Sequence, residues 1–136
     1  MESSSKIRGY CASAPEIEGE VIVIAKPFDL LSIEPISGTF EAEHEHEGKS
    51  IKDKILLAPC LCGATIAEFI PLFLGMVDNR PKAIVTTESM TYVPIMSGCL
   101  AAGIPLMFGV DKEFYRSIST GDTLRIDAEK GVVSLQ

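Results

Sequence analysis

Basic residues are scarce in this chain: 12 Lys and Arg stand against 19 Asp and Glu, a net charge of −7. No basic stripe is available to neutralise phosphates, so a nucleic-acid partner is not expected. Long apolar runs are missing as well. None approaches the roughly 20 residues that a bilayer-spanning helix requires, and Met1 to Lys6 has no apolar signal-peptide core. A cytoplasmic location without membrane contact is expected. Cys11, Cys60, Cys62 and Cys99 form no recognisable disulfide framework, which makes them free thiols of a reducing compartment. There is no internal repeat, and nothing around His44 and His46, the two histidines, points to a nucleophilic triad.

What is present describes one well-cored unit. Hydrophobic residues make up 46% of 136 positions and charged residues 23%, which suits a globular domain and argues against disorder. The mean hydropathy of +0.25 leans apolar enough to expect an exposed hydrophobic face and a partner for it. Met1 to Lys6 is Ser-rich and polar, the composition of a frayed end, so residues 1–6 are expected to be flexible and 7–136 to form a single domain.

Glu20 to Ala25, Lys54 to Ala58, Ala83 to Thr86 and Ile104 to Phe108 read as short buried strands. Ile7 to Ala12 is a further strand candidate. Ile66, Phe69, Ile70, Phe73, Leu74 and Val77 fall at helical spacing, with Pro71 predicting a kink or a late start. Tyr92 to Ala102 is a buried helix ending at Gly103. Asp111 is placed to cap a short helix with Phe114 and Ile118 inward. Thr123 to Asp127 and Val132 to Leu135 close the chain as a hairpin. Between Phe28 and Gly48 lies an irregular excursion whose run Glu41 to Glu47 reads as a solvated acidic loop rather than as a metal site built on His44 and His46. Strands first, then strand and helix in alternation, then a hairpin, predict an α/β fold: a mixed sheet or open barrel with flanking helices.

One junction stands out. Pro59-Cys60-Leu61-Cys62-Gly63-Ala64-Thr65 follows a buried strand and opens a helix, with Thr65 and Glu68 in capping-box spacing. Free N–H groups and a helix dipole make such a turn a place for a small anionic substrate. Cys60-x-Cys62 lacks the spacing and the four ligands of a zinc or iron–sulfur site, so no metal is assigned to the chain.

Several segments in order, Gly19-Glu20, Gly48-Lys49-Ser50, the Pro59 loop, Pro81-Lys82-Ala83-Ile84, Gly103-Ile104-Pro105 and Thr120-Gly121-Asp122, resemble the small subunit, or swivel domain, of aconitase X. The resemblance runs from about Ile7 to the end. It implies a swivelling β/β/α domain that docks on a large subunit, as a heterodimer or higher assembly, and closes over a shared site. The implied reaction is dehydration of a hydroxy acid, mevalonate 5-phosphate in the archaeal two-subunit form or cis-3-hydroxy-L-proline in bacterial relatives. It assigns the iron or iron–sulfur centre to the large subunit and no cofactor to this chain.

The family's loop reads roughly P-x-G-[KR]-G-S-[ST], with the Ser as catalytic base. Laid on this chain, Leu61 replaces the first Gly, Cys62 the basic residue and Ala64 the Ser, while Gly63 and Thr65 match. Leu31-Ser32-Ile33-Glu34 stands where the family has a G-G-V-D-like segment. The substrate-binding set is therefore expected to be Cys60, Leu61, Cys62, Gly63, Ala64, Thr65 and Ile66. Thr65, or next a thiol at Cys62 or Cys60, is expected to supply the proton acceptor, the thiol being the stronger base if the helix dipole lowers its pKa. A non-catalytic partner that has lost the Ser is the alternative, using Leu61, Ile66 and Met96 as interface. A phosphohistidine swivel domain would need a His on the loop, and none is there.

Overall fold

The computed structural model describes residues 3–11, 16–62, 69–88 and 93–136. In chain order the first strands are β1 (Ser4–Lys6), β2 (Gly9–Cys11), β3 (Glu16–Val23) and β4 (Phe28–Asp29). After a 3-10 turn at Leu30–Ser32 come β5 (Ile33–Glu34), β6 (Thr39–Phe40), β7 (Ile55–Ala58), β8 (Leu61–Cys62) and helix α1 (Phe69–Met76). Strand β9 (Ala83–Thr86), helix α2 (Val93–Ala102), strand β10 (Leu106–Phe108), helix α3 (Lys112–Ser117) and the hairpin β11 (Thr123–Asp127) and β12 (Val132–Leu135) complete the order.

Eight strands form one sheet in the order β1-β12-β11-β3-β7-β9-β10-β2. Its centre, β3-β7-β9-β10, is parallel, and the flanking pairs are antiparallel. Strands β1 and β2 occupy opposite ends of that order although only Ile7 and Arg8 separate them. Three residue steps reach roughly 11 Å at most, whereas the edges of a flat eight-stranded sheet lie roughly 34 Å apart. The sheet therefore curls until its edges meet. The joining residues are bonded to both sides: Ile7 N–H donates to Gly131 O at 2.8 Å and Arg8 N–H to Phe108 O at 2.9 Å.

Both faces of the central strands are buried, as parallel strands require. Val21, Ile55, Leu57, Ala83, Val85 and Met107 share one apolar cluster with Leu124, Ile126 and Val133 and with Phe114 and Ile118 around α3. Alternate residues Ile22, Leu56, Ala58, Ile84, Leu106 and Phe108 point to the other side. There they meet Leu74 of α1, Ile95 and Cys99 of α2, and Phe28, Leu30, Ile33 and Phe40 of the excursion.

Ser4–Lys6, read from composition as part of a frayed end, pairs along β12. Asp111 stands at the N-cap of α3, but its carboxylate makes no cap bond and lies 3.5 Å from Arg8 Nη1 instead. The capping-box pair Thr65 and Glu68 lies outside the described residues. Gly38 turns the β5–β6 hairpin at φ +69°, and a Cβ there would come within 2.8 Å of the Asn79 side chain, whose Nδ2 donates to Ile36 O at 2.8 Å. A glycine is thus what lets the excursion seat against the end of α1.

The acidic run is less solvated than its composition predicts. His44 stacks on Phe40 with ring centroids 4.3 Å apart, and His46 is buried with Nε2 2.6 Å from Val23 O. Its glutamates still face solvent, and Glu45 in addition accepts Ala25 N–H at 2.7 Å. The loop is thereby fastened to the exit of β3.

Candidate functional site

Because β3, β7, β9 and β10 run parallel, their carboxyl ends open on one edge of the sheet, where ligands of such sheets bind. The exits gather Asp29 beyond β3, Pro59 to Cys62 beyond β7, Thr87 and Glu88 beyond β9, and Gly109 beyond β10.

The loop after β7 is held through its main chain. Pro59 O accepts Thr87 Oγ1 at 2.8 Å and Glu88 N–H at 3.2 Å. Cys60 O accepts Phe28 N–H at 2.9 Å, and the short parallel ladder β4-β8 sets Asp29 opposite Cys62. Leu61 N–H, which faces away from that ladder, donates to Glu88 Oε1 at 3.0 Å. Glu88 O in turn accepts Gly109 N–H at 2.7 Å, so one residue ties the exits of β7 and β10 together. Asp29 is ordered by Leu31 N–H at 2.9 Å and by Ser32 Oγ on its carbonyl at 2.6 Å.

The sequence-predicted residues part ways here. Cys62 is exposed and Cys60 half-buried, both at the mouth. Leu61 is 5% exposed and packs into the apolar cluster beneath, so its main chain, not its side chain, faces the site. Gly63, Ala64, Thr65 and Ile66 lie outside the described residues.

Electrostatics act against a thiolate. Burial pushes the Cys60 thiol up, with Glu88 adding to it. Burial raises Cys62 as well, followed by Asp29, Cys60 and Glu88. The described surroundings thus favour the protonated thiol, the opposite of what a thiol base requires. Asp29 and Glu88 each spend an oxygen on a main-chain N–H. Among the described residues no group of three or more His, Cys, Asp or Glu is set to hold an ion.

Two hollows reach residues at these exits. One of about 340 Å³ is bounded by Lys26, Asp29, Ser32, Glu43, His44 and Glu45. The other, about 830 Å³, runs over Arg8, Thr87 and Asp111 towards α3.

A family model described as the aconitase X swivel domain matches residues 6–135 of this curled sheet and its helices. The chain belongs to that family. Among its relatives, the phosphomevalonate dehydratase small subunit of Thermococcus gammatolerans is 35% identical over 132 residues, 96% of this chain and 97% of that one. The protein of the same name from Methanosarcina mazei is 31% identical, covering 96% of this chain and 90% of its own. The crystal structure of Thermococcus kodakaraensis aconitase X in its holo-form superposes with a TM-score of 0.84 at 32% identity, covering 98% of each chain. The α/β swivel fold expected from the sequence is the fold observed.

Three residues of the swivel domain's edge escaped sequence reasoning: Asp29, Thr87 and Glu88. Thr87 and Glu88 lie just past the end of β9 and Asp29 closes the short β4 beyond β3, and the rule that parallel sheets bind at their carboxyl ends is the signal that would have found them. Among the described residues no helix is long and apolar enough to cross a membrane.

Proposed function

We propose that this swivel domain is the small subunit of an aconitase X-type hydro-lyase that dehydrates mevalonate 5-phosphate together with a larger subunit. The observation that carries the reading is similarity along nearly the full length of both chains to relatives named phosphomevalonate dehydratase small subunit. In this reading Cys60 to Ile66 supply the substrate contacts and the large subunit completes the site. The iron or iron–sulfur centre that the family implies would be held by that partner and would supply Lewis-acid assistance to the leaving hydroxyl. Thr65 is the nearest hydroxyl able to accept the proton once Ala64 occupies the Ser position, and Cys62 is a weaker candidate because its thiol is held protonated.

The need for a partner has physical support. Helices α1 and α2 pack side by side and carry no charged side chain along Phe69–Met76 or Val93–Ala102. Their outer face exposes Phe69, Phe73, Met76, Val93 and Leu100. Apolar surface of that extent, continuous with the helix that the site loop opens, suits an interface.

One observation, Ala64 at the position of the family's Ser, favours a second reading in which the chain binds the large subunit without catalysing. Reconstitution separates the two. The chain is co-purified with its large subunit, and water elimination from mevalonate 5-phosphate is followed beside cis-3-hydroxy-L-proline. Turnover of the phosphate, absent from either subunit alone, is the expected result. Binding without turnover, restored by Ala64→Ser, would establish the non-catalytic reading, and preference for hydroxyproline would change the substrate.

A further inference from the structure

We infer that Glu88 is the positioning residue of the substrate loop: its carboxylate grips the loop by the main chain at Leu61 and so sets where Cys62 and the residues after it stand. The inference rests on the functional reading above. Among the described residues strand β8 has a strand partner on one side, the ladder to β4. On its other side Glu88 Oε1 accepts Leu61 N–H at 3.0 Å, taking the place of a neighbouring strand. A carboxylate acceptor makes this bond stronger than a neutral one. Glu88 is itself immobilised, its N–H on Pro59 O at 3.2 Å and its carbonyl taking Gly109 N–H at 2.7 Å. The apolar side chain of Leu61 is anchored in the core beneath.

Glu88 is half-buried and makes no ion pair among the described residues. A partly desolvated charge kept without a cation is explained by the N–H it accepts. Reaction geometry is sensitive to such a support, since displacement of a reacting group by about 1 Å costs up to roughly a hundredfold in rate.

Two variants test the role. Glu88→Gln keeps an oxygen for Leu61 N–H, and Glu88→Ala removes it. In the isolated chain, amide exchange of Leu61 is expected to accelerate at least about tenfold in Glu88→Ala, with Ile84 and Val85 unaffected, and to stay slow in Glu88→Gln. In the reconstituted complex, Glu88→Ala is expected to lower kcat by roughly tenfold or more with little change in KM, and Glu88→Gln to recover most of it. Unchanged Leu61 exchange in Glu88→Ala overturns the grip itself. Altered exchange with undiminished kcat overturns its role in the reaction. A wild-type complex that turns nothing over defeats the functional reading, and the role of Glu88 in that reaction falls with it while the exchange result still decides the grip.

Discussion

Substituting Met76 and Leu100 by glutamine gives a direct test of the uncharged helical face. Met76 is 81% exposed and Leu100 62%, so neither supports the isolated fold by burial. Glutamine keeps nearly the helix propensity of either residue, and exposed substitutions of this kind stay within about 0.5 kcal/mol of the parent stability. Inside an interface the balance differs. Covering a Met or Leu side chain completely is worth about 1.5–3 kcal/mol, and scaled by the fraction still free here the pair offers roughly 2–4 kcal/mol to association. That corresponds to a rise in Kd of about 30- to 900-fold. Thermal unfolding of the isolated double variant, beside titration calorimetry against the large subunit, measures both quantities. An affinity within threefold of the parent would refute the assignment of this face, and a large loss of thermal stability would show that the two residues serve the fold.

Acid stability is a second expectation. Burial, partly opposed by Glu45, holds His44 below its ordinary value of 6.5, and its Nδ1 accepts His46 N–H at 3.0 Å. A lowered folded pKa means that the unfolded chain takes the proton first, so this contribution is complete above 6.5 and is lost as the pH falls through the folded value. The midpoint of thermal unfolding should therefore drop between about pH 7 and pH 5, and His44→Phe, which preserves the stack on Phe40, should flatten that drop; equal slopes would dismiss the idea. Thiol labelling supplies a third. Burial pushes Cys99 up to about 12, with Cys11 adding to it, so Cys99 should react only on unfolding. Exposed Cys62 should label first, yet more slowly than free cysteine at about pH 8, because its raised pKa leaves less thiolate. Labelling of Cys62 faster than free cysteine would mean that the loop favours the thiolate after all.

The sequence foretold most where a segment carries its own reason for its shape. Ala83–Thr86, Thr123–Asp127 and Val132–Leu135 have the bounds expected from apolar runs and turn residues. The first strand did not, because Ser4 to Lys6 has no strand-like composition and owes its form to pairing with Val132 to Ser134 across the whole chain. The excursion hid its order for a related reason. Pieces of two residues, β4, β5 and β6, are too short to show a period, and their course depends on Asn79 and on the ladder to β8. His44 and His46 alternate with glutamates and read as solvated, but Phe40, several residues earlier, offers both rings an apolar surface.

The site divides along the same line. Pro59 to Cys62 stands out in the sequence because the segment follows its strand directly, whereas Glu88 reaches Leu61 across 27 positions through the register of β7 against β9. That register also holds the described part of the loop without calling on its side chains. The described restraints fall on main-chain atoms: the carbonyls of Pro59 and Cys60 and the N–H of Leu61. None of them depends on a glycine at position 61 or a basic residue at position 62. Leucine at 61 even adds an anchor, since its side chain enters the core below. A loop fixed in this way can exchange the side chains that do chemistry without losing its position above the sheet. Change at Cys62 and Ala64 therefore tests the reaction, and change at Glu88 tests the scaffold that presents it.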